Sequence, residues 1–353
     1  METLAREWVN QGVDVTVINP ISYKNHFING GNKAFEVTNG IRVFRPLFFS
    51  FSNLKVCGLS TLQLSHLAFS NAALKVCKKI DAADFYYGKF LFPGGKVAQL
   101  AGELFQRPSF VDIGESSLLH RLSIEERRKA TDTLNKLNGA VCVSDRLVKE
   151  VIALGAEHHK VLLAPNSVDK NRFKPMDKTV CRKQLSIAPD IFIVIFVGHF
   201  IERKGPLRVL NALKLLRVNV KGVFLGKGQQ KPTGETVLFT GSVPNEELPI
   251  WLNAADVFVL PTLAEGHCNA INEALACGLP VITSDIPDIR HQINEEAGIL
   301  VSPQNANEIA DAISLLYNNP KLRAKYRQCS IKVSNHAEQN RPKQILEYIM
   351  DRL

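Results

Sequence analysis

Two carboxylates stand eight residues apart in the stretch "EGHCNAINEALACGLPVI": Glu265 in a loop-like approach, and Glu273 inside what reads as a short helix. The run before them, "DVFVLPT", has a strand pattern, so the acids flank a helix start beyond the carboxyl end of a strand. With the helix beginning near His267 to Asn269, the backbone amides of residues 267–271 point out of its N-terminus, an arrangement that suits an anion. Glu273 then lies about one turn inside, ~6 Å along the axis at ~1.5 Å per residue. Upstream, "VGHFIERKG" follows another apolar run and puts Lys204 near a helix start, with Arg203 beside it. A lysine there, together with helix amides, suits a phosphate. Carboxylates accept paired hydroxyl groups well. A ligand with a diphosphate in the middle and diols at both ends fits all of these groups, and a nucleotide sugar has that form.

Taken singly, each feature has a plainer reading. Two glutamates near a helix start favour the helix dipole. Arg203 and Lys204 could be a solvated pair. The Gly226 and Gly228 of "FLGKGQQ" and the Gly241 and Pro244 of "FTGSVPNEEL" are explained by turns. What raises the functional reading is the order in which these pieces follow strand ends.

The elements that must position them alternate. "VDVTVINP" (13–20), "ADFYYGKF" (83–90), "PSFVDIG" (108–114), "GAVCVSD" (139–145) and "KVLLAPNSVD" (160–169) read as strands or strand and turn, and "DRLVKEVIALG" as a helix stopped at Gly155. "NRFKPMDKTVCRKQLSIAPD" is polar and proline-marked, a linker. The cycle then restarts. "IFIVIFVG" (191–198) is a continuous apolar run of the kind buried on both faces of a parallel sheet. "KGPLRVLNALKLL", "NEELPIWLNAA" and "NAINEALACG" read as helices among the strands "VKGVFLG", "ETVLFTG", "DVFVLPT" and "LPVITSD". Two α/β halves joined by a linker imply two doubly wound, Rossmann-like domains with a cleft between them, ligands lying beyond the carboxyl ends of the strands. We expect an N-terminal domain over 1–174, a C-terminal domain over 175–335, and a final helix in 336–353 returning to the first. The chain opens with a helical "METLAREWVNQG" where such a domain normally opens with a strand and a Gly-rich loop, so the first strand is read as lacking.

Composition narrows the class. With 353 residues, 45% hydrophobic and 22% charged, the chain reads as globular. It contains no apolar run long enough to span a bilayer and no secretory signal pattern, which points to the cytoplasm. The seven cysteines are scattered without a CxxC, as expected for buried reduced thiols, and a structural zinc site is not expected. The net charge is +9, of which residues 1–174 hold +7 and residues 175–353 hold +2. That asymmetry suits an anionic membrane surface or a phosphorylated substrate. No zinc-finger, RNP-like or basic-zipper pattern supports a nucleic-acid partner.

In this order the motifs resemble the retaining GT-B glycosyltransferases of family 4, glycosyl transferases group 1. "EGHCNAINEALACGLPVI" looks like their E-x7-E signature, and "FVGHFIERKG", "FLGKG", "FTGSVPNEEL" and "AADVFVLPT" fall in the family's order. "VCVSDRLVKEV" and "KVLLAPNSVDKNRFKP" resemble the end of its first domain. The likeness is specific over 139–301 and general before 110. It implies a retaining transfer of a glycosyl group from a nucleotide-diphosphate sugar to a saccharide or lipid-linked acceptor, in the assembly of a surface polysaccharide. The donor sits in the C-terminal domain, and no metal or other cofactor is needed. Glu265 matches the acid on the donor sugar, Glu273 the acid on the ribose diol and Lys204 the lysine on the diphosphate. Gly266, His267, Cys268, Asn269, Ala270 and Ile271 match the loop and helix amides around sugar and phosphate. Val243 matches the backbone position beside the base.

The sequence departs from the family in four places. His199 stands where the family usually has an arginine. Neutral imidazole offers one donor against five for guanidinium, so the grip on the diphosphate is weaker or Arg203 makes it up. Gly114, Glu115 and Ser116 replace a His-Gly pair at the reaction centre, which puts Glu115 and Ser116 on the acceptor side and leaves His120 as a surface or helix residue. The segment between "FLGKG" and "LFTG" has no room for the usual helix. The opening strand and its loop are missing, which leaves open a chain that binds nucleotide sugar without turnover. The basic first half, with "RPLFFSFSNLKV" (45–56) and "HRLSIEERRKA" (120–130), offers aromatic and cationic groups for peripheral contact with the inner face of a membrane. A Rossmann-type dehydrogenase is the reading from another class, and it lacks the GxGxxG fingerprint with its acidic partner.

Overall fold

The computed structural model describes residues 2–28, 31, 33–51, 55–56, 59–119, 122–293, 296–336 and 340–353. His120 and Arg121, and residues 52–54 of the aromatic stretch, lie outside the described residues. The chain divides into two compact units, one of residues 1–165 with 340–353 and the other of residues 166–339. These bounds differ by nine and four residues from 174/175 and 335/336. Residues 166–176 go with the second unit because that unit holds them. The Asn253 side chain accepts from the Met176 amide at 2.7 Å and donates to the Lys174 carbonyl at 3.1 Å, and the Arg172 guanidinium donates to the Asn245 carbonyl.

In the first unit, the strands Tyr86–Lys89, Ser109–Ile113, Gly139–Cys142 and Val161–Leu163 form a parallel sheet in that spatial order. All nine residues of Ser109–Ile113 and Gly139–Cys142 are buried, as expected for parallel strands covered on both faces. The expected strand over 13–20 is only Thr16–Ile18, half-buried throughout, and pairs in parallel with Ile41–Phe44 in a separate three-stranded sheet. The helices Glu2–Asn10 and Arg341–Met350 meet in one apolar cluster in which Leu4, Trp8, Phe110, Ile345 and Tyr348 are buried. The Trp8 indole donates to the Pro342 carbonyl at 2.8 Å. Close approach sets one residue type there: a Cβ on Gly139 would come 2.2 Å from the Tyr348 hydroxyl.

The second unit is a six-stranded parallel sheet whose strands in chain order are Phe192–Val197, Val220–Leu225, Val237–Gly241, Val257–Leu260, Val281–Ser284 and Gly298–Val301. Their spatial order is third, second, first, fourth, fifth, sixth. The chain therefore winds outward one way, returns to the middle and winds out the other way. The reversal lies between Phe192–Val197 and Val257–Leu260, which pair through Val194 with Val257 and Ile195 with Phe258. Such a reversal opens a crevice beyond the strand ends. Residues 226–236 join two parallel strands without a helix, as the short segment implied. That crossover stays tight because the loops touch backbone to backbone. Gly226 has φ +155°, and a Cβ there would lie 1.9 Å from the Gly198 carbonyl oxygen. The glycine pair that read as a plain turn is thus required for close approach.

Candidate functional site

Because the first and fourth strands are neighbours, the loops that leave them, 198–205 and 261–268, run side by side. The Leu263 amide donates to the Arg203 carbonyl at 2.8 Å, and the Thr262 hydroxyl lies 3.2 Å from the same carbonyl. Behind them the Ser284 hydroxyl donates to the Thr262 carbonyl at 2.5 Å. Glu265, 6% exposed, is fixed at this junction. Its Oε1 lies 2.6 Å from Lys204 Nζ and 3.0 Å from the Arg203 guanidinium, and accepts the Thr262 hydroxyl at 2.7 Å. A carboxylate taken out of water needs such compensation, and two cations and a hydroxyl supply it. Arg203 also donates to the Ala264 carbonyl. Through one and the same terminal nitrogen it braces the loop that carries Glu265. His199 itself is exposed.

The helix beside this pair runs Asn269–Ala276, with Cys268 at its N-cap and Gly278, φ +76°, beyond its end. Cys268 supplies no side-chain cap. Gln292, buried at 7%, steadies the turn instead. Its Oε1 accepts the Cys268 amide at 2.7 Å, and its Nε2 donates to the Cys268 carbonyl and to Asn272 Oδ1, both at 3.1 Å. Asn272 Nδ2 in turn donates to the Asn166 carbonyl at 3.0 Å and lies 2.9 Å from His267 Nε2. Of the amides expected to face an anion, that of Cys268 is therefore engaged with Gln292, and that of Ile271 with the Cys268 carbonyl at 3.2 Å. Gly266, His267, Asn269 and Ala270 complete the turn beside Lys204, whose Nζ is 3.9 Å from Cys268 Sγ. Burial pushes the Cys268 thiol up to about 11 and the Cys277 thiol to about 12, so both stay protonated and uncharged near neutral pH. Gln292, Asn272, Thr262 and Ser284 were not anticipated. Each acts on a partner far along the chain, or through a neighbour's contact, and carries no local pattern.

Glu273, one turn in, is half-buried. Burial pushes its carboxyl up to about 7, with Arg172 drawing it partly back down. A carboxyl raised on folding contributes stability that is full below the unfolded value, near 4.5, and is lost as pH rises through about 7. Glu273→Gln should therefore gain on the wild type as pH climbs from 5 to 8, by on the order of 2 kcal/mol. Thermal melts of both proteins across that range check it, and a constant gap would contradict it. Val243 is half-buried and packs against the core of this unit, with its loop leading into Asn245–Glu247.

In the first unit, Glu115 lies just past the strand Ser109–Ile113. The Leu91 amide donates to its Oε1 at 2.6 Å, and its Oε2 is buried with no hydrogen-bond partner among the described residues. Burial raises this carboxyl above its usual range. The Ser116 carbonyl accepts from Arg146 at 2.5 Å. Two residues before Gly114, the fully buried Asp112 meets Lys89 at 3.0 Å and the Arg341 guanidinium at 2.9 and 3.0 Å. Among the described residues no group of three His, Cys, Asp or Glu side chains could hold a metal ion, and no helix is long and apolar enough to cross a membrane.

A doubly wound sheet with an acid, a lysine and a helix start at its switch point is an architecture that many ligands share, and comparison with known proteins narrows the class. Residues 177–333 match the family described as glycosyl transferases group 1. The chain is 28% identical over 329 residues to the putative teichuronic acid biosynthesis glycosyltransferase TuaC of Bacillus subtilis, covering 89% of this chain and 83% of that one. Several further relatives are matched over about half of their length. The fold resembles sucrose-phosphate synthase from Thermosynechococcus elongatus, with TM-score 0.78 and 18% identity over 99% of this chain and 91% of that one. It also resembles Anabaena Alr3699/HepE, solved in complex with UDP-glucose, with TM-score 0.72 and 19% identity over 89% and 87%. Over residues 177–333 the chain thus matches the glycosyl transferases group 1, and its fold is similar to that of GT-B glycosyltransferases, as the motif order implied.

Proposed function

We propose that this chain moves a sugar from a nucleotide-diphosphate sugar to a saccharide or lipid-linked acceptor, with retention of the anomeric configuration and without a metal ion. The observation that carries the reading is the buried Glu265–Lys204 pair at the switch point, beside the start of the helix that bears Glu273. The kinship with TuaC, named for teichuronic acid biosynthesis, supports a surface polysaccharide as the product, made at the cytoplasmic face of a membrane that the basic N-terminal half would meet. The likeness to HepE, solved with UDP-glucose, supports a nucleotide sugar as donor.

In this reading Glu265 accepts the donor sugar's hydroxyl groups and Glu273 the ribose diol. Lys204 and the amides at the helix start face the diphosphate. As the bond from the anomeric carbon to the diphosphate oxygen breaks and the bond to the acceptor oxygen forms, negative charge grows on the departing diphosphate. Lys204 is already in place to neutralise it, which is where a fixed charge lowers a barrier most. The acceptor's proton leaves with the diphosphate. Glu115 and Ser116 are assigned to the acceptor.

Calorimetric titration with UDP- and GDP-sugars tests the donor. A ribose diol donates to an ionised carboxylate, so binding favours the deprotonated form of Glu273 and releases a proton below about pH 7. Affinity should rise about tenfold from pH 6 to pH 8, since a group titrating near 7 goes from mostly protonated to mostly ionised across that window. Glu273→Ala should weaken nucleotide binding and remove this slope, while Glu265→Ala should mainly reduce transfer. Chelator should leave the rate unchanged, and the product's anomeric proton should match the donor's configuration. A folded sample that binds no nucleotide sugar, or equal and negligible effects of both substitutions, would overturn the proposal.

A further inference from the structure

Arg172 stands in "NSVDKNRFKP", a stretch given no part in the site above, and the structure ties it to the loop that follows Val243. Its place is fixed locally. Asp169 Oδ1 accepts the amides of Asn171 at 3.0 Å and Arg172 at 3.3 Å, and the Asp169 carbonyl accepts the Phe173 amide at 2.8 Å, a side-chain-capped turn. Phe173, 4% exposed, is set in the core of the unit, and the guanidinium lies over its ring at 4.8 Å from the centroid. From that anchor the guanidinium reaches 73 residues along the chain to the Asn245 carbonyl, two residues past Val243. Its Nε is buried with no hydrogen-bond partner among the described residues, so the cation is less than fully satisfied where it sits.

We propose that Arg172 is the positioning residue for the nucleoside half of the donor: one guanidinium, stacked on Phe173, holds the base-side loop at Asn245. This rests on the donor assignment above and adds to it a residue that orders the base-side contact. The charges around Glu273 single out Arg172. On the helix packed against Asn269–Ala276, Arg327 acts on Cys277 at that helix's far end, and the Cys277 thiol carries no charge near neutral pH. At the near end Lys204 and Glu265 are paired with each other. Burial drives Glu273 toward its protonated form, and Arg172 is the group that opposes it. A mobile cation would do this poorly. Stacking on Phe173 and the bond to Asn245 keep this one still.

The test measures binding of UDP-glucose and GDP-mannose by calorimetry between pH 5.5 and 8.5, using the full chain. Alongside it, the Glu273 carboxyl is titrated by carbon NMR without ligand. Arg172→Gln should move the pH midpoint of both upward by about one unit and weaken binding at pH 7 about fivefold or more, as the ionised fraction of Glu273 falls from about one half to about one tenth. Arg172→Lys restores the charge without the stacked, forked geometry, so the midpoint should return while some affinity stays lost. In a Glu273→Gln background, Arg172→Gln should leave no pH midpoint to shift. A merely structural residue would lower affinity at every pH alike and leave the Glu273 titration where it was, and that result overturns the proposal. If the wild type binds neither probe, the donor assignment falls and this inference falls with it. If the wild type binds and Arg172→Gln titrates unchanged, only the inference falls.

Discussion

Replacing Lys204 with methionine is expected to lower kcat/KM for the donor by about 10²–10³-fold, most of it in kcat, with the fold intact. The ammonium is 13% exposed and sits 2.6 Å from Glu265 Oε1. It has two duties that fail together. Before the donor arrives, it offsets a buried carboxylate that Arg203 and Thr262 also contact. In the proposed transfer it faces the oxygen on which charge grows, so its loss should be felt more in the transition state than in the bound ground state. Methionine keeps the stem's length and apolar packing, which separates charge from volume. His199→Ala is the contrast, an exposed side chain whose loss should cost less than tenfold. Steady-state kinetics and UDP titration of both variants decide the matter. A Lys204→Met enzyme within threefold of the wild type would remove Lys204 from the diphosphate and leave the pair with Glu265 as a structural contact only.

The second large effect concerns stability and lies in the first unit. Arg341→Met should destabilise that unit by about 3–5 kcal/mol, the usual cost of leaving a buried charge without its partner. Asp112 is wholly buried, and Arg341 grips both of its oxygens while donating Nε–H to the Ala164 carbonyl at 2.8 Å. Burial pushes the Asp112 carboxyl up, but Lys89 and Arg341 together outweigh it and hold the group below its usual range. A carboxyl depressed on folding contributes stability that is present above its unfolded value and lost as pH falls through the folded one, so acid should erase part of the gap between wild type and variant. Chemical denaturation at pH 7.5 and at pH 4 measures both. Lys343→Met, on the same helix but 55% exposed, serves as the control and should stay within about 0.5 kcal/mol. A loss below about 1 kcal/mol for Arg341→Met would mean that Asp112 is satisfied by Lys89 alone.

The two expectations differ in how far the sequence supported them. Lys204 and Glu265 were legible because each lies in a loop between a strand run and a helix. An apolar run such as "FIVIFV" can only be buried, and a loop that follows it comes out at the sheet's carboxyl edge. The pair's mutual contact was not legible, since it depends on the first and fourth strands being neighbours. Nothing local encodes Asp112 with Arg341 either, 229 residues apart. The helices Thr61–Cys77 and Pro320–His336 and the strand Gly298–Val301 also escaped the sequence reading. "TLQLSHLAFSNAALKVC" spreads small and apolar residues around the whole helix rather than on one stripe, so periodicity has little to report.

By itself, the sequence determined which segments must be buried strands, where the chain turns after each, and which charged residues those turns carry. Those are consequences of local hydrophobic pattern and turn chemistry, which act within a few residues. Only the tertiary structure decided what the charged residues do to one another. It set Arg203 to bracing the Glu265 loop, gave Gln292 and Asn272 the helix start, and brought Arg172 to Asn245. Ion pairing, desolvation and hydrogen bonding depend on distance in space, and the order of strands in the sheet sets those distances.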